Sequence, residues 1–431
     1  MYEISFPFNI SFTFDGDFSI VNLSERIRDL EIEKLVLDRF IERFNEIITI
    51  GLCGEKYKHN KEERFKRAGN CERKITTMLG ESEITVDKIR DTETGEIFKP
   101  LLTALDIKPY KNYQDDISFT STDIATKNTY RDTKYILKNF MKKIISPSTI
   151  NRRLIETGKE IKEFIKNKNQ NSDNKKQDHF YADGTKSHRE DRYKNDIKVA
   201  ITTNDQNEKI LLACSVNESW DDINQEINES NILSSDAVLI SDAEPELKNS
   251  LANAEKKYQL DFIHFIRDIG YKLWKDDQLD LNTRKKMKKH VEKIIYTLKN
   301  QTYKYANDEK TLKKKINKAV DELKKFSKYL HEIGCEKTAK FIKKHTNHLV
   351  TFAILKTQGK NIPWNSNIIE RLMGEIQKRC KHKWMRWTTT GQESILNLIL
   401  TRYTNPQNYT EFKKQKLKTK NINNIQAKII T

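Results

Sequence analysis

The sequence predicts an α/β domain that carries an all-helical insertion and follows a mainly helical region with a small β unit. Three observations predict it. Segments 179–187, 196–204 and 209–216 (HFYADGTKS, DIKVAITTN, KILLACSV) are short apolar runs with brief connections and read as strands. A helical pattern at 220–229, the buried-type run AVLISDAEPEL at 237–247 and the apolar passage 260–266 then alternate strand and helix. From 276 to 358 the apolar spacing is purely helical and the surface strongly basic, as in TRKKMKKHVEKIIYTLKN.

Taken in order, residues 3–22 alternate apolar and polar residues in short pieces and read as one or two strands. Over 24–50, Leu30, Leu35, Val36, Phe40, Phe44, Ile47 and Ile48 recur at helical spacing. A basic stretch at 56–74 follows, set against phosphate or simply solvated. Alternation with β-branched residues over 72–102, with turns near Gly80 and at Thr94-Gly95, reads as a small antiparallel unit. These features form an N-terminal region, 1–125. Segment 126–166 is helix-turn-helix-like: a helix near 128–140, a break, and a second helix capped by Ser146 or Ser148 with Pro147 in its first turn. Residues 167–178 contain no apolar residue and read as a linker. The α/β domain occupies 179–275, is interrupted by the helical insertion 276–358, and closes with helices at 359–405. A polar, basic tail at 406–431 is expected to fray. Within the domain the passage after Asp242 opens into a helix running to Lys257. Three strands in a meander, then helix, strand, helix, strand, is the order of a ribonuclease-H-like domain.

Composition narrows the partners. The 431 residues carry a formal net charge of +17, with 33% charged and 36% hydrophobic residues, and the cations are spread along the whole chain. Such a balance favours a polyanion, nucleic acid first and anionic membrane second. No apolar run reaches the length of a membrane span, and the N-terminus lacks the basic start and apolar core of a signal peptide. The five cysteines are odd in number and scattered, the pattern of reduced intracellular thiols, and Cys53, His59 and Cys71 lack the CxxC pair of a zinc site. A cytoplasmic, nucleoid-associated protein is expected. On the second helix of 126–166, Thr149, Asn151, Arg152 and Arg153 sit where a recognition helix presents side chains to base edges and phosphates. An ordinary helical hairpin with basic decoration is the alternative.

Three carboxylates carry the chemistry. Asp183 and Asp242 stand at strand positions, and Glu370 lies in the first turn of a helix within NIPWNSNIIERLMGEIQKRCKHKWMRW, 361–387, among Arg371, Lys378, Arg379, Lys381, Lys383 and Arg386. Ile368, Ile369, Leu372 and Ile376 are placed to hold that helix to the sheet, with Glu370, Gly374, Lys378 and Lys381 on the other face. Each acid has a structural reading: a hairpin turn at Asp183-Gly184, a helix cap at Asp242, a capping box between Asn367 and Glu370. Brought together, the three repel unless cations neutralise them. Two Mg²⁺ or Mn²⁺ ions about 4 Å apart would activate a water or a 3′-hydroxyl and stabilise the leaving oxygen of a phosphodiester. Asp261 and His264 form a D-x-x-H pair at the end of the fifth strand, placed to orient groups or handle protons there.

DGT at 183–185, SDAEPEL at 241–247, D-x-x-H at 261–264 and NIIERLMGEIQKR at 367–379 resemble the Mutator-type group of DDE transposases over roughly 179–403. The resemblance implies a metal-binding catalytic triad of Asp183, Asp242 and Glu370, with Asp261 and His264 as the auxiliary (C/D)xxH element. Asp261 stands where many members have cysteine. It also implies cleavage at element ends and strand transfer into target DNA, by homo-oligomers assembled on double-stranded DNA bearing terminal inverted repeats. Arg371, Lys378 and Lys381 are then expected on DNA phosphates. No membrane and no small-molecule substrate enters this reading. The alternatives are a ribonuclease-H-like nuclease that cuts without joining and a transposase-derived DNA-binding protein without activity.

Overall fold

The computed structural model describes residues 4–7, 10–11, 19–54, 64–141, 145–170, 176–188, 194–252, 257–383 and 385–417. The chain divides into two units, Met1–Arg153 with Lys413–Thr431, and Leu154–Phe412.

The first unit holds α1 (Ile20–Asp29), α2 (Ile32–Cys53), β1 (Phe65–Thr76), β2 (Glu81–Asp91), β3 (Ile97–Phe98), α3 (Pro100–Ala104), α4 (Asp115–Ala125), α5 (Tyr130–Met141) and the start of α6 (Pro147–Gln170). The three strands form an antiparallel sheet in the order β1-β2-β3, turning at Gly80 and Gly95, both at positive φ. From Ser82 to Val86 every second residue of β2 is buried, so Ile84 and Val86 join Ile41, Ile75, Leu101 and Ile107 in a core lined by Phe40 and Phe44 of α2. Three sequence expectations change here, and one helix carried none. The helix expected over 24–50 is two, parted at Glu31, whose φ of 46° is left-handed. Among the described residues of 3–22 none is in a strand, and Ile20 already opens α1; residues 1–3, 8–9 and 12–18 lie outside the description. Half of the basic stretch 56–74 is strand β1, and 55–63 lie outside the description. Helix α4 had no periodic signal, because its sequence DDISFTSTDIA is poor in helix formers. Burial of Ile117, Phe119 and Ala125 overrides propensity, and Asp115 and Asp116 favour its N-terminus.

The second unit holds the rest of α6, then β4 (Gln177–His188), β5 (Lys194–Thr203), β6 (Lys209–Val216), α7 (Trp220–Glu229), β7 (Leu233–Ser241), α8 (Pro245–Leu251), β8 (Lys257–Leu260) and α9 (Phe262–Asp276). Helices α10 (Leu281–Lys304), α11 (Glu309–Glu332), α12 (Glu336–Leu349), α13 (Thr351–Lys356), α14 (Asn367–Cys380), α15 (Thr389–Thr404) and α16 (Pro406–Lys416) follow. The five strands make a mixed sheet in the order β6-β5-β4-β7-β8: β4 and β6 flank β5 antiparallel, while β7 runs parallel to both β4 and β8. The helix expected to reach Lys257 ends at Leu251. Lys257–Leu260 instead pairs in parallel with Val238–Ser241, a tertiary gain that local pattern cannot register. Residues 167–170, expected in a linker, continue α6, and Gln177 already pairs with Leu233 of β7. Of the tail expected to fray over 406–431, Pro406–Lys416 forms α16, which buries Tyr409 and Phe412, while 418–431 lie outside the described residues.

Two buried amides tie helices to sheet ends. Gln259 in β8 accepts from the Phe352 N–H at 2.8 Å and donates to the Leu349 carbonyl, satisfying backbone where α12 gives way to α13. Gln392 in α15 accepts from Asn195 of β5 and donates to Ser187 of β4. Gly158 of α6 lies closer still to α15: a Cβ there would stand 2.4 Å from the Ser394 carbonyl oxygen and 2.6 Å from its Cα. Gly158→Ala, although alanine is the better helix former, is therefore expected to lower stability by about 2 kcal/mol through overpacking against backbone. Urea denaturation of the full chain measures it, and an unchanged midpoint would mean the crossing has slack.

Candidate active site

Asp183 lies inside β4 opposite Val199 of β5, so the turn reading of Asp183-Gly184 is excluded. Side chains alternate along a strand. Gly184 faces α7, where a Cβ would meet the Trp220 ring at 3.6 Å. Thr185, on the Asp183 side, accepts from Gln377 Nε2 of α14 at 3.1 Å. Helix α14 thus lies along the face that carries Asp183. Asp242 is the first residue past β7. Because Tyr181 and Ile240 are parallel partners, Asp183 and Asp242 each stand two residues further along neighbouring strands, at one level. Asp242 does not cap α8, whose N-cap is Glu244; its Oδ1 accepts from the Glu244 N–H at 3.3 Å, and its carbonyl oxygen accepts from the Tyr258 hydroxyl.

Glu370 occupies the first turn of α14, as the sequence indicates, but the N-cap is Ser366 rather than Asn367, so no capping box forms. The Ser366 hydroxyl lies 3.3 Å from Glu370 Oε1. Buried Asp261, the N-cap of α9, fixes this corner. Its Oδ1 accepts from the His264 N–H at 2.7 Å and lies 3.2 Å from His264 Nδ1; its Oδ2 accepts from the Ser366 N–H at 2.6 Å and the Ser366 hydroxyl at 3.0 Å. His264 Nδ1 also lies 3.5 Å from Glu370 Oε1. On the other side of the approach loop, Trp364 packs against Phe262 at 5.4 Å and Tyr296 of α10 at 6.0 Å, with Lys299 Nζ 4.1 Å over its ring.

The electrostatics join these residues into one group. Burial pushes the Asp183 carboxyl up to about 7; the Gly184 N–H opposes this, the charge of Asp242 adds to it, His264 opposes and Glu370 adds. Burial also works to raise Asp261, but hydrogen bonds from the His264 side chain and from the His264 and Ser366 backbone outweigh it and hold that carboxyl below its ordinary range. The Asp261 hydrogen bond in turn raises His264, against burial and Arg267. Asp268, one turn along α9, is raised by burial and by the field of Asp242. Oxygens and nitrogens of Asp261, His264 and Glu370 fall within 4.8 Å of one another, a spacing that admits a metal ion. Asp261 is a poor ligand all the same: it is inaccessible to solvent and four donors already fill its lone pairs. It positions the others. The open oxygen donors are those of Asp183, Asp242 and Glu370, a set that matches a hard divalent cation.

The cationic residues divide. Arg152 at the start of α6 is exposed, while Asn151 and Arg153 are half-buried and the Thr149 hydroxyl is engaged with its cap, Ser146, at 2.9 Å. Arg371, Lys378 and Lys381 are exposed on α14 and its end, Lys378 paired with Glu375 at 2.6 Å. Arg379, counted with that strip in the sequence, is buried: its guanidinium lies 4.7 Å over the Trp387 ring and donates to Met385 Sδ. Ile368 is only half-buried, and Met373 takes its expected place among Ile369, Leu372 and Ile376. Sequence reasoning missed Ser366 and Gln377. A serine directly before a helical pattern was the available signal for the first; nothing local marks the second.

No helix among the described residues is long and apolar enough to cross a membrane. No curated protein matches the chain. A family model described as "Transposase, Mutator family" matches residues 25–411, from within α1 to within α16, so that strands β1 to β8 and every residue of the carboxylate group fall inside it, and the chain belongs to the Mutator family of transposases.

Proposed function

We propose that the protein is a DNA transposase that cleaves phosphodiesters at element ends and transfers the freed 3′-hydroxyls into target DNA, with Asp183, Asp242 and Glu370 as its metal-binding residues. One observation carries the reading: two aspartates level with each other on adjacent parallel strands, and a glutamate on the helix that lies along the same face. The sheet order β6-β5-β4-β7-β8, antiparallel on one side of β4 and parallel on the other, supports a ribonuclease-H-like domain, and α10 to α13, between the last strand and α14, support the helical insertion. Bound between these carboxylates, Mg²⁺ or Mn²⁺ supplies the Lewis acidity that phosphodiester transfer needs.

The protein's own residues do the positioning. Asp183 is set by the register of β4, and Asp242, the first residue past β7, is held by the Tyr258 hydroxyl on its carbonyl oxygen. Glu370 is set by helix α14, whose first turn is tied to Asp261 through Ser366 and whose second half is tied to β4 through Gln377. Asp261 holds His264 beside Glu370, where the imidazole exchanges a proton or steadies that carboxylate. Of the exposed cations, Arg371 directly follows Glu370 and Lys378 and Lys381 lie about two and three turns beyond it, placed to hold backbone phosphates; Thr149, Asn151, Arg152 and Arg153 are the residues proposed to read element ends.

A joining assay tests the proposal. Purified protein, Mg²⁺, labelled duplexes carrying the repeats that flank the gene, and a supercoiled target plasmid are expected to give covalently joined product. Cut ends without joined product would replace the reading with that of a nuclease.

A further inference from the structure

We propose that Lys248, Lys344 and His348 form a seat for a backbone phosphate of DNA, reached from the Asp242 side of the carboxylate group. The inference rests on the transposase reading and adds to it a binding site on the helical segment.

Lys248 lies on α8, one helix on from Asp242, and is half-buried. Its Nζ stands 2.9 Å from His348 Nε2 on α12 and 5.3 Å over the ring of Tyr258. Tyr258 meets the His348 ring edge-on at 5.1 Å, and its hydroxyl donates to the Asp242 carbonyl. The cluster is thus wired to the strand end that carries Asp242. Behind it sits His345, 5% exposed, whose Nδ1 has no hydrogen-bond partner; its ring packs on Phe341, over which Lys272 lies at 4.5 Å. Lys344 projects from the same helix and is exposed.

Among the described residues, no carboxylate pairs with the cluster. Three other partly buried lysines of this unit have one: Lys198 pairs with Asp196 at 2.9 Å, Lys360 with Asp236 at 2.7 Å, and Lys168 with Glu411. After burial, the charge that acts on Lys248 is that of Lys344, and those acting on His345 and His348 are likewise cationic, so all three groups are pushed down, the imidazoles to about 4. A desolvated ammonium without a counter-charge is costly unless something arrives to pair it. His348 takes one of the three Lys248 donors at Nε2, which leaves two ammonium N–H groups for a ligand with several acceptor oxygens. A phosphodiester fits, and on a chain of net charge +17 whose neighbouring carboxylates would act on DNA, the DNA backbone is its source.

Fluorescence anisotropy of the full-length protein on a labelled 30-bp duplex (about three helical turns), across a salt series, tests this. Lys248→Gln is expected to make the slope of log affinity against log salt shallower by about 1, and to weaken element-end and unrelated duplexes alike. Lys344→Gln, an exposed change that leaves packing intact, moves the slope in the same direction. Lys248→Arg retains it. Without DNA, Lys248→Gln melts at or above the wild-type temperature, because it removes a half-buried cation that has no carboxylate partner among the described residues. Unchanged slopes in both glutamine variants, or a lower melting temperature with an unchanged slope, would overturn the seat while leaving the transposase reading standing. If 10 mM inorganic phosphate (a concentration on the order of that used for weak anion sites) stabilises the DNA-free wild type but not Lys248→Gln, and the DNA slope is unaffected, the site belongs to free phosphate and the proposal falls. Absence of salt-dependent DNA binding by the wild type would overturn the transposase reading itself, and the seat with it.

Discussion

Asp183→Asn is expected to stabilise the metal-free protein at pH 8 while removing strand cleavage. Burial, helped by Asp242 and Glu370, lifts this carboxyl from 3.8 to about 7. A carboxyl raised by folding contributes its full stability below its unfolded pKa and loses it as pH rises through the folded one. Metal-free protein should therefore weaken between about pH 4 and pH 7 and level off above. A tenfold change in proton affinity is worth about 1.4 kcal/mol, so the ionised group costs on the order of 4 kcal/mol at pH 8. Asparagine keeps the shape and removes that cost. In EDTA the wild type is expected to melt several degrees lower at pH 8 than at pH 5, and the variant to lose most of that gap. Cleavage with Mg²⁺ should fall by roughly 10³-fold or more, as when one member of a catalytic group is removed. An equal pH dependence in both proteins, or a variant that still cuts, would remove Asp183 from the centre of the site.

That conflict between stability and chemistry was legible in the sequence only in outline. Asp183 and Asp242 stood out because each ends or interrupts an apolar run, FYAD and AVLISD, where a solvent-facing acid has no business in a core strand. The parallel register that levels them depends on pairing across 59 residues between Tyr181 and Ile240, and nothing local encodes it. Glu370 was visible as an acid in a basic strip, yet the same strip misled: Arg379 looks like its neighbours and is buried against Trp387, because a 3.6-residue period turns it inward with Ile376 and Cys380. Helix α4 carries no expectation, and the fifth strand, expected in the passage 260–266, lies at Lys257–Leu260 with helix α9 from Phe262, for one reason. Their residues are poor in periodic apolar signal, and partners distant in sequence supply the stabilisation. The Lys248–His348 contact spans 100 positions and lies beyond any reading of motifs.

Asp261→Ala is expected to cost about 3 kcal/mol of stability and roughly a hundredfold in cleavage, although Asp261 touches no reacting atom. The carboxylate accepts from the His264 N–H and the Ser366 N–H at 2.7 and 2.6 Å, and truncation leaves both donors without their acceptor in a place closed to water. Ser366 is the N-cap of α14, so the first turn loosens and Glu370 loses its fixed height above the strands. Asp261→Asn separates packing from charge: its amide fills the same space but presents N–H groups where Ser366 or His264 already donates. His264 gives the pH signature. The Asp261 hydrogen bond raises it, so the pair stabilises the fold fully below the ordinary histidine range and less as pH rises through the raised value. The stability gap between wild type and Asp261→Ala should accordingly be wider near pH 6 than near pH 9. Guanidinium denaturation at the two pH values reads the first effect, and single-turnover cleavage at saturating DNA reads the second. A variant that folds with wild-type stability and cuts at the wild-type rate would mean that α14 is held by its own packing on the sheet, through Ile369, Leu372 and Ile376, without the tether.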